Sequence, residues 1–363
     1  MLKVLHIVPG IPFGGMQKLA AELAAEQKAR GLEATFLMVY DSPPLEALLK
    51  ELAVPVLAVS GTRPSPGAAR EFKKRLGEAA PDLVHLHAGL LWTNLLGLTG
   101  KRCPWIYHAH NYPIRQTGWR GRLLKAVNRR LIDAVIGVSR SVSREYEREL
   151  KGRCPVFTVH NGVRLPATTG GGRRKQQNDP PQFGMATRFV PDKGIFEFID
   201  VAAEIARRFP AAEFVLAGDG PLLPAAKERA RQLVLDGKFN FPGFVNDMAQ
   251  FWNSLDVALF TCPRDTFGLG IIEPMAQQVP VAAYLTGAGS DEIIEDGKNA
   301  VAAPWGKSDR LAEQAVRLVA DSTLREALVA HANRDVTTKF SIERMAAQVE
   351  AVYSNFADSK KQS

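Results

Sequence analysis

Two cations and two carboxylates carry the clearest chemical signals in this chain. Arg188 and Lys193 flank the loop in Gly184-Met185-Ala186-Thr187-Arg188-Phe189-Val190-Pro191-Asp192-Lys193-Gly194. That loop joins a strand end to a helix start, where a diphosphate would lie, and the pair could neutralise it without a metal. Asp265 and Glu273 stand eight residues apart in Asp265-Thr266-Phe267-Gly268-Leu269-Gly270-Ile271-Ile272-Glu273. Asp265 precedes the glycines of a turn, and Glu273 falls inside the helix that follows. Both can face one ligand, with the backbone amides of Leu269 and Gly270 between them. Carboxylates suit paired hydroxyls, such as a ribose diol or a sugar ring. Gly14-Gly15 lies between the first strand and the first helix, where exposed amides and the helix dipole favour an anion. Taken singly, each signal has a plainer reading: solvated surface cations, a helix-start acid that complements the dipole, a turn glycine.

The elements that must hold these groups alternate along the whole chain. Val4–Val8, Ala34–Val39, Val54–Val59, Leu83–Leu86, Trp105–His108, Ala134–Val138 and Val156–Val159 are short apolar runs. Helical patterns separate them, the first running from Gly15 to Arg30 and stopped by Gly31. Continuous apolar strands flanked by amphipathic helices predict a parallel sheet covered on both faces. Leu165–Pro181 has three adjacent glycines and no apolar period, and reads as a linker. The alternation restarts with Phe183–Ala186, Phe214–Ala217, Val257–Phe260 and Val281–Tyr284, and Ser341–Phe356 is a last amphipathic helix. The predicted class is therefore α/β. It has a Rossmann-like domain over 1–165, a linker over 166–181 and a second Rossmann-like domain over 182–340. A C-terminal helix over 341–363 packs back toward the first domain. A ligand cleft is expected between the domains, at the carboxyl ends of the strands.

Composition agrees and narrows the partners. A chain of 363 residues, 46% hydrophobic and 23% charged, suits two ordinary domains and excludes a disordered, collagenous or coiled-coil protein. The net charge of +8 is uneven: residues 1–180 hold 27 basic and 14 acidic side chains, residues 181–363 hold 19 and 24. The excess in the first half points to an anionic partner. Cys103, Cys154 and Cys262 form no CxxC pair, which argues against a zinc site or a disulfide framework and for a reducing compartment. The N-terminal apolar stretch is short and broken by His6, unlike a signal peptide. The expected location is cytoplasmic.

In this order the motifs resemble the retaining glycosyltransferases of the GT-B fold, in the large family-4 (group 1) class. The resemblance runs along nearly the whole chain. It rests on Gly14-Gly15, the strand end Tyr107-His108-Ala109-His110-Asn111 and the strand Asp133-Ala134-Val135-Ile136-Gly137-Val138-Ser139. It continues with Asn161-Gly162-Val163, Arg188 with Lys193-Gly194, Gly218-Asp219-Gly220-Pro221, Gly243-Phe244-Val245, and the Asp265-to-Glu273 element. Three positions depart from the family pattern: Asp265 stands for the first Glu of an E-x7-E element, Gln17 for a Glu, and Asn111 for an Asp.

The resemblance implies two Rossmann-like domains facing across a central cleft, and roles for named residues. Arg188 and Lys193 would bind the donor diphosphate. Glu273 would take the ribose hydroxyls. Asp265 with the amides of Gly268, Leu269 and Gly270 would hold sugar and phosphate. Gly14, Gly15 and Gly218 would line the donor site, and the base would stack near Phe244 and Val245. His110 would contact the sugar or the acceptor. No metal and no cofactor are expected, only a nucleotide-diphosphate sugar, by family frequency a UDP-sugar, as co-substrate. His85 and His87 alternate on one strand, and strand packing explains them at least as well as a functional role.

The first domain would bind the acceptor. Tyr112–Arg130 holds Arg115, Arg120, Arg122, Lys125, Arg129 and Arg130 with no acid, interleaved with Trp119, Leu123, Leu124 and Val127. A basic amphipathic helix with an aromatic at its start suits an anionic membrane surface. A second run, Arg70, Lys73, Lys74 and Arg75, includes one acid, Glu71. The expectation is a peripheral enzyme on the inner face of the cytoplasmic membrane, with a glycan or lipid-linked acceptor of polysaccharide or lipopolysaccharide type. The alternatives are a GT-B nucleotide-sugar epimerase and a nucleotide-sugar-binding module without catalysis. A nucleic-acid partner is not expected, because no reading module is present. An NAD-dependent oxidoreductase is disfavoured, because no G-x-G-x-x-G follows the first strand.

Overall fold

The computed structural model describes residues 1–10, 13–88, 90–113, 118–166, 179–233, 235 and 237–357. Arg115, most of the linker stretch and residues beyond 357 lie outside them. The chain divides into two compact units, one built from Met1–Arg164 and Ile342–Ser363, the other from Leu165–Ser341.

The first unit alternates strands and helices in chain order. It contains β1 (Lys3–Pro9), α1 (Gly15–Ala29), β2 (Glu33–Val39), α2 (Pro43–Glu51), β3 (Val56–Val59), α3 (Pro66–Ala79) and β4 (Leu83–Leu86). It continues with α4 (Leu91–Thr99), β5 (Trp105–Ala109), α5 (Trp119–Leu131), β6 (Ala134–Gly137), α6 (Arg140–Leu150) and β7 (Val156–Thr158). The second unit contains β8 (Gln182–Ala186), α7 (Ile195–Arg208), β9 (Glu213–Ala217), α8 (Leu223–Gln232), β10 (Phe239–Asn240), α9 (Met248–Asn253) and β11 (Val257–Phe260). It ends with α10 (Leu269–Ala276), β12 (Val281–Leu285), β13 (Val301–Pro304), α11 (Ser308–Ala320) and α12 (Ser322–Lys339), before α13 (Ile342–Ala357) returns to the first unit.

Both sheets are parallel. Their strand orders are β3-β2-β1-β4-β5-β6-β7 and β10-β9-β8-β11-β12-β13. The order reverses between β1 and β4 in one and between β8 and β11 in the other, which sends helices to both faces. β3 starts at Val56, later than its apolar run suggests, because Pro55 has no N–H to give a ladder.

Two layers of apolar contact close the first sheet. On one face Val4, Leu83, Ile106 and Ile136 pack under Leu19 and Leu23 of α1 and Ile342, Met345, Val349 and Tyr353 of α13. On the other, Leu5, Ile7, Val84 and Leu86 pack with Phe72 of α3 and Trp105. Burial of each such side chain contributes roughly 1.5–3 kcal/mol. The buried residues of α13 fall at helical spacing, and Arg30 pairs with Glu350 at 3.0 Å along its edge, so the last helix covers the first sheet rather than the second.

Candidate active site

The ends of β8 and β11, at the switch point of the second sheet, gather the predicted donor residues. Two glycines make this possible. Gly194 precedes α7 with φ of 72°, and a Cβ there would lie 2.0 Å from the Thr261 carbonyl oxygen. Only glycine lets the loop after β8 lie this close to the end of β11. Thr261 Oγ1 then donates to the Gly194 carbonyl at 2.7 Å. Gly218 has φ of 130°, and its Cβ would fall 1.8 Å from the Thr187 carbonyl oxygen. The Gly218 amide donates to the Gly243 carbonyl at 2.7 Å, which brings the Phe244 loop beside the end of β9. Phe244 itself is 57% exposed and offers a bare ring face.

Lys193 and Asp265 meet. Lys193 Nζ donates to Asp265 Oδ2 at 3.1 Å, and both side chains are part-buried. Burial acts to lower the Lys193 pKa, but the charge and hydrogen bond of Asp265 together with Cys262 outweigh it and the net shift is upward. Arg188, exposed at the end of β8, adds a repulsive positive charge to Lys193. Burial acts to raise the Asp265 carboxyl, yet the Lys193 charge and the Phe267 and Gly268 amides hold it below its usual range. Thus Asp265, read from the sequence as a sugar contact, is the counter-ion of Lys193 in this structure. An Asp reaches Lys193 while its other oxygen accepts from the Phe267 amide at 3.1 Å.

Gly268 precedes α10 with φ of 106° and no side chain caps the helix start. The amides of Leu269 and Gly270 therefore stand at an uncapped, positive helix end. Glu273, one turn further in, accepts from Trp252 Nε1 at 3.2 Å. Trp252, on α9, is 2% exposed and positions a carboxylate that the sequence reading treated alone. No spacing signal links the two residues. Val245 lines a groove with Gln182, Glu213 and Asp247 at the amino ends of β8 and β9. A cavity of about 700 Å³ lined by Leu255, Gln278, Arg325 and Asn333 is likewise at the amino ends of its strands. Neither adjoins the residues gathered around Lys193.

In the first unit, Gly14 precedes α1 with extended backbone (φ −177°) and no side chain caps that helix. The glycine pair is thus not forced by φ, and its use is an open helix N-terminus. Gln17 is buried and donates to the Pro9 carbonyl at 3.2 Å, so it braces the end of β1.

The largest departure from the sequence reading is a cluster of histidines. His6, His85, His87, His108 and His110 are all buried on the face that α1 and α13 cover. His85 and His87 share one buried sheet face, as strand packing has it, and their ring nitrogens also meet those of other histidines. His6 Nδ1 meets His87 Nε2 at 3.0 Å, His87 Nδ1 meets His110 Nε2 at 3.0 Å, and His85 Nε2 meets His108 Nδ1 at 3.0 Å. Burial lowers every one of these pKa values, to about 4 for His6 and about 3 for His110. For His85, His87 and His108 the shift is also downward, by burial first and by neighbouring histidines second. All five imidazoles are therefore neutral at neutral pH. The signal in the sequence was two His-x-His pairs on neighbouring strands.

Two trios among them, His6 with His85 and His87 and His87 with His108 and His110, bring ring nitrogens within 4.8 Å. A lone pair lies in its ring plane, and the His108 and His110 rings are stacked at 4.4 Å between centroids. His85 and His87 are stacked at 4.3 Å. Face-to-face rings do not converge on one ion at the ~2.0–2.1 Å that a zinc site needs.

Of the basic stretch, α5 presents Trp119 at 69% exposure and Leu123 at 37% on adjacent turns, with Arg122, Arg129 and Arg130 also exposed. Val127 and Leu131 are buried, and Lys125 pairs with Glu149 at 3.1 Å. The second basic run is compensated more fully than its single acid suggested. Arg75 pairs with Glu71 and Glu78, and Lys74 with Glu78. Cys262 is buried, and burial pushes its thiol up to about 11. No helix among the described residues is long and apolar enough to cross a membrane.

Two parallel, doubly wound Rossmann-like units in one chain define the GT-B fold. A crystal structure of Anabaena Alr3699/HepE in complex with UDP and glucose matches with a TM-score of 0.81 at 21% identity, covering 98% of this chain and 100% of that one. The profile of glycosyl transferases group 1 matches residues 172–335, and that of Glycosyltransferase Family 4 matches residues 13–165. The alpha-D-kanosaminyltransferase of Streptomyces kanamyceticus is 27% identical over 180 residues, which is 48% of this chain and 46% of that protein. The Vi polysaccharide biosynthesis protein VipC/TviE of Salmonella typhi is 31% identical over 165 residues, 42% of this chain and 28% of that protein. The chain spans less than half the length of these curated relatives. It belongs to the group 1, family 4 glycosyltransferases.

Proposed function

We propose that this protein is a retaining glycosyltransferase that moves a hexosyl or N-acetylhexosaminyl group from a UDP-sugar to a membrane-associated glycan or lipid-linked acceptor of polysaccharide or lipopolysaccharide type. The observation that carries this reading is the pair Arg188 and Lys193 at the β8/β11 switch point, with Asp265 and Glu273 brought to the same strand ends. The diphosphate takes the place of Asp265 as partner of Lys193 and also meets Arg188. The ribose diol meets Glu273, held by Trp252, and the base stacks on Phe244. His110, neutral, contacts the sugar or the acceptor.

The chemistry follows from charge. As the bond between the anomeric carbon and the diphosphate breaks, negative charge grows on the leaving oxygen and positive charge on the carbon. Fixed cations aimed at the phosphate lower that barrier, so no metal is needed. The acceptor hydroxyl attacks from the face the diphosphate leaves, and its proton passes to the leaving phosphate oxygen. The C–O bond to the acceptor forms as the C–O bond to the diphosphate breaks, and configuration is retained.

The test is transfer from UDP-sugars to lipid-linked glycan acceptors, with the anomeric configuration of the product read by NMR. Retained configuration and a rate unchanged by EDTA are expected. An inverted product, a metal requirement, or tight UDP binding with no transfer overturns the reading. Free epimerised sugar nucleotide formed without acceptor assigns the site to an epimerase instead. The basic face of α5, with exposed Trp119 and Leu123, supports docking to an anionic membrane. Vesicles rich in anionic lipid should co-sediment the protein at low salt, and Trp119→Ser should weaken this. Absence of co-sedimentation removes the membrane part of the proposal.

A further inference from the structure

The loop that carries Lys193 has a constrained backbone. Asp192 and Gly194, on either side of the lysine, both lie in the left-handed region, at φ of 65° and 72°. Glycine adopts that region freely, but a residue with a Cβ stays there only where its surroundings fix it. The Asp192 side chain is exposed, and it is the Asp192 main-chain carbonyl that is held from inside the protein.

Two consecutive side chains just past the end of β11 hold this loop. Thr261 Oγ1 donates to the Gly194 carbonyl at 2.7 Å, and Cys262 Sγ donates to the Asp192 carbonyl at 3.2 Å. Carbonyl oxygens only accept, so the direction of both bonds is fixed. The other neighbour of the Thr261 hydroxyl, the Met185 sulfur at 3.4 Å, is a weak acceptor. The Gly194 carbonyl also accepts from the Phe198 amide at 2.9 Å, in the first turn of α7. Both Thr261 and Cys262 are buried, so water does not replace a donor that is lost. The chain is thus gripped one residue before Lys193 and one residue after it.

This grip bears on the ammonium group. A lysine carries its charge on a flexible four-carbon stem, and ordering that stem costs rotamer freedom. Fixing its root limits where Nζ can go. Nζ lies against Asp265, which follows Cys262 by three residues, so the cation and its counter-ion are held at one corner. A diphosphate that takes Lys193 from Asp265 needs only the lysine side chain to turn, because the main chain is already in place. Burial and the Asp265 charge push the Cys262 thiol up to about 11 against the pull of Lys193, so at neutral pH the sulfur keeps the proton it donates.

We infer that Thr261 and Cys262 are positioning residues, whose hydroxyl and thiol clamp the two carbonyls flanking Lys193 and so aim its ammonium at the donor diphosphate. The use of Lys193 rests on the function proposed above, whereas the clamp itself does not.

Calorimetry with UDP and with inorganic pyrophosphate tests the clamp on the full-length protein. Thr261→Val and Cys262→Ala each remove one donor, and each should weaken binding of both ligands about 3- to 10-fold. Thr261→Ser and Cys262→Ser keep a hydroxyl donor and should stay within about 2-fold of wild type. If these side chains only filled space, serine at 262 would do no better than alanine. Serine variants as weak as the alanine and valine ones therefore overturn the proposal, as does a pyrophosphate affinity unmoved in Thr261→Val and Cys262→Ala. The infrared S–H stretch gives a second readout that needs no ligand. The band that disappears in Cys262→Ser is that of Cys262, and in the wild type it should lie below the frequency of a free thiol. A band at the free-thiol frequency overturns the part given to Cys262. A wild-type protein that binds neither UDP nor pyrophosphate overturns the functional reading alone, and the S–H band then still decides the clamp.

Discussion

Mild acid should unfold the first unit while the second stays folded. Five histidines in the first unit are buried and neutral, but in the unfolded chain each titrates near about 6.5. The folded pKa values are depressed, so below that point the unfolded state binds more protons. Stability is then fully present above the unfolded value and is lost as pH falls toward about 4 for His6 and about 3 for His110. Between about pH 7 and about pH 5.5, each histidine costs a little over ~1 kcal/mol, so five cost on the order of 6 kcal/mol, against a typical total of ~5–15 kcal/mol. The slope at the acid end corresponds to between four and five protons, ~6 kcal/mol per pH unit. Hydrogen exchange of the β1, β4 and β5 amides, corrected for intrinsic rates, measures this. The second unit is an internal control, because its only histidine is His331 and its depressed carboxyls Asp265, Glu228 and Glu295 titrate below this window. Amides of β8, β9 and β11 should therefore change little. A slope of about one proton or fewer in the first unit, or equal slopes in both, would refute the reasoning.

Three further outcomes follow from the second unit. Lys193→Met should weaken UDP binding about 10- to 100-fold, as expected for loss of a charge-assisted hydrogen bond worth ~1.5–3 kcal/mol, and calorimetry reads this directly. Asp265→Asn should raise UDP affinity a few-fold, since it removes the anion that competes for Lys193 at 3.1 Å, while sugar transfer falls. Equal losses in both would assign Asp265 to binding alone. Gly218→Ala should destabilise the second unit by ~1–3 kcal/mol, because the new Cβ would meet the Thr187 carbonyl oxygen. The midpoint of the first unit should not move.

Much of this protein is written locally. The alternation of short apolar runs with amphipathic helices predicts two doubly wound sheets because burial on both faces demands such strands. Arg188, Lys193 and Glu273 stood out as candidates because each sits in a short stretch whose glycines announce a turn at a strand end. Their neighbours in the chain are also their neighbours in space. What the sequence left undecided depends on pairings between distant elements. Lys193 finds Asp265 only because β8 and β11 adjoin at the switch point. Glu273 finds Trp252 across two helices. The histidines show the limit most clearly. His6, His85 and His108 lie on three strands, and His87 and His110 just past the ends of two of them, and these strands adjoin only through the order β1-β4-β5. Residues two apart share a sheet face, so His85 falls with His87 and His108 with His110. Their alternation was legible, but Gln27 and Tyr353, which are hydrogen-bonded to each other and to this array, are 326 residues apart. A hydrogen bond has no period in the sequence, and only the folded sheet with α1 and α13 laid on it brings donor to acceptor.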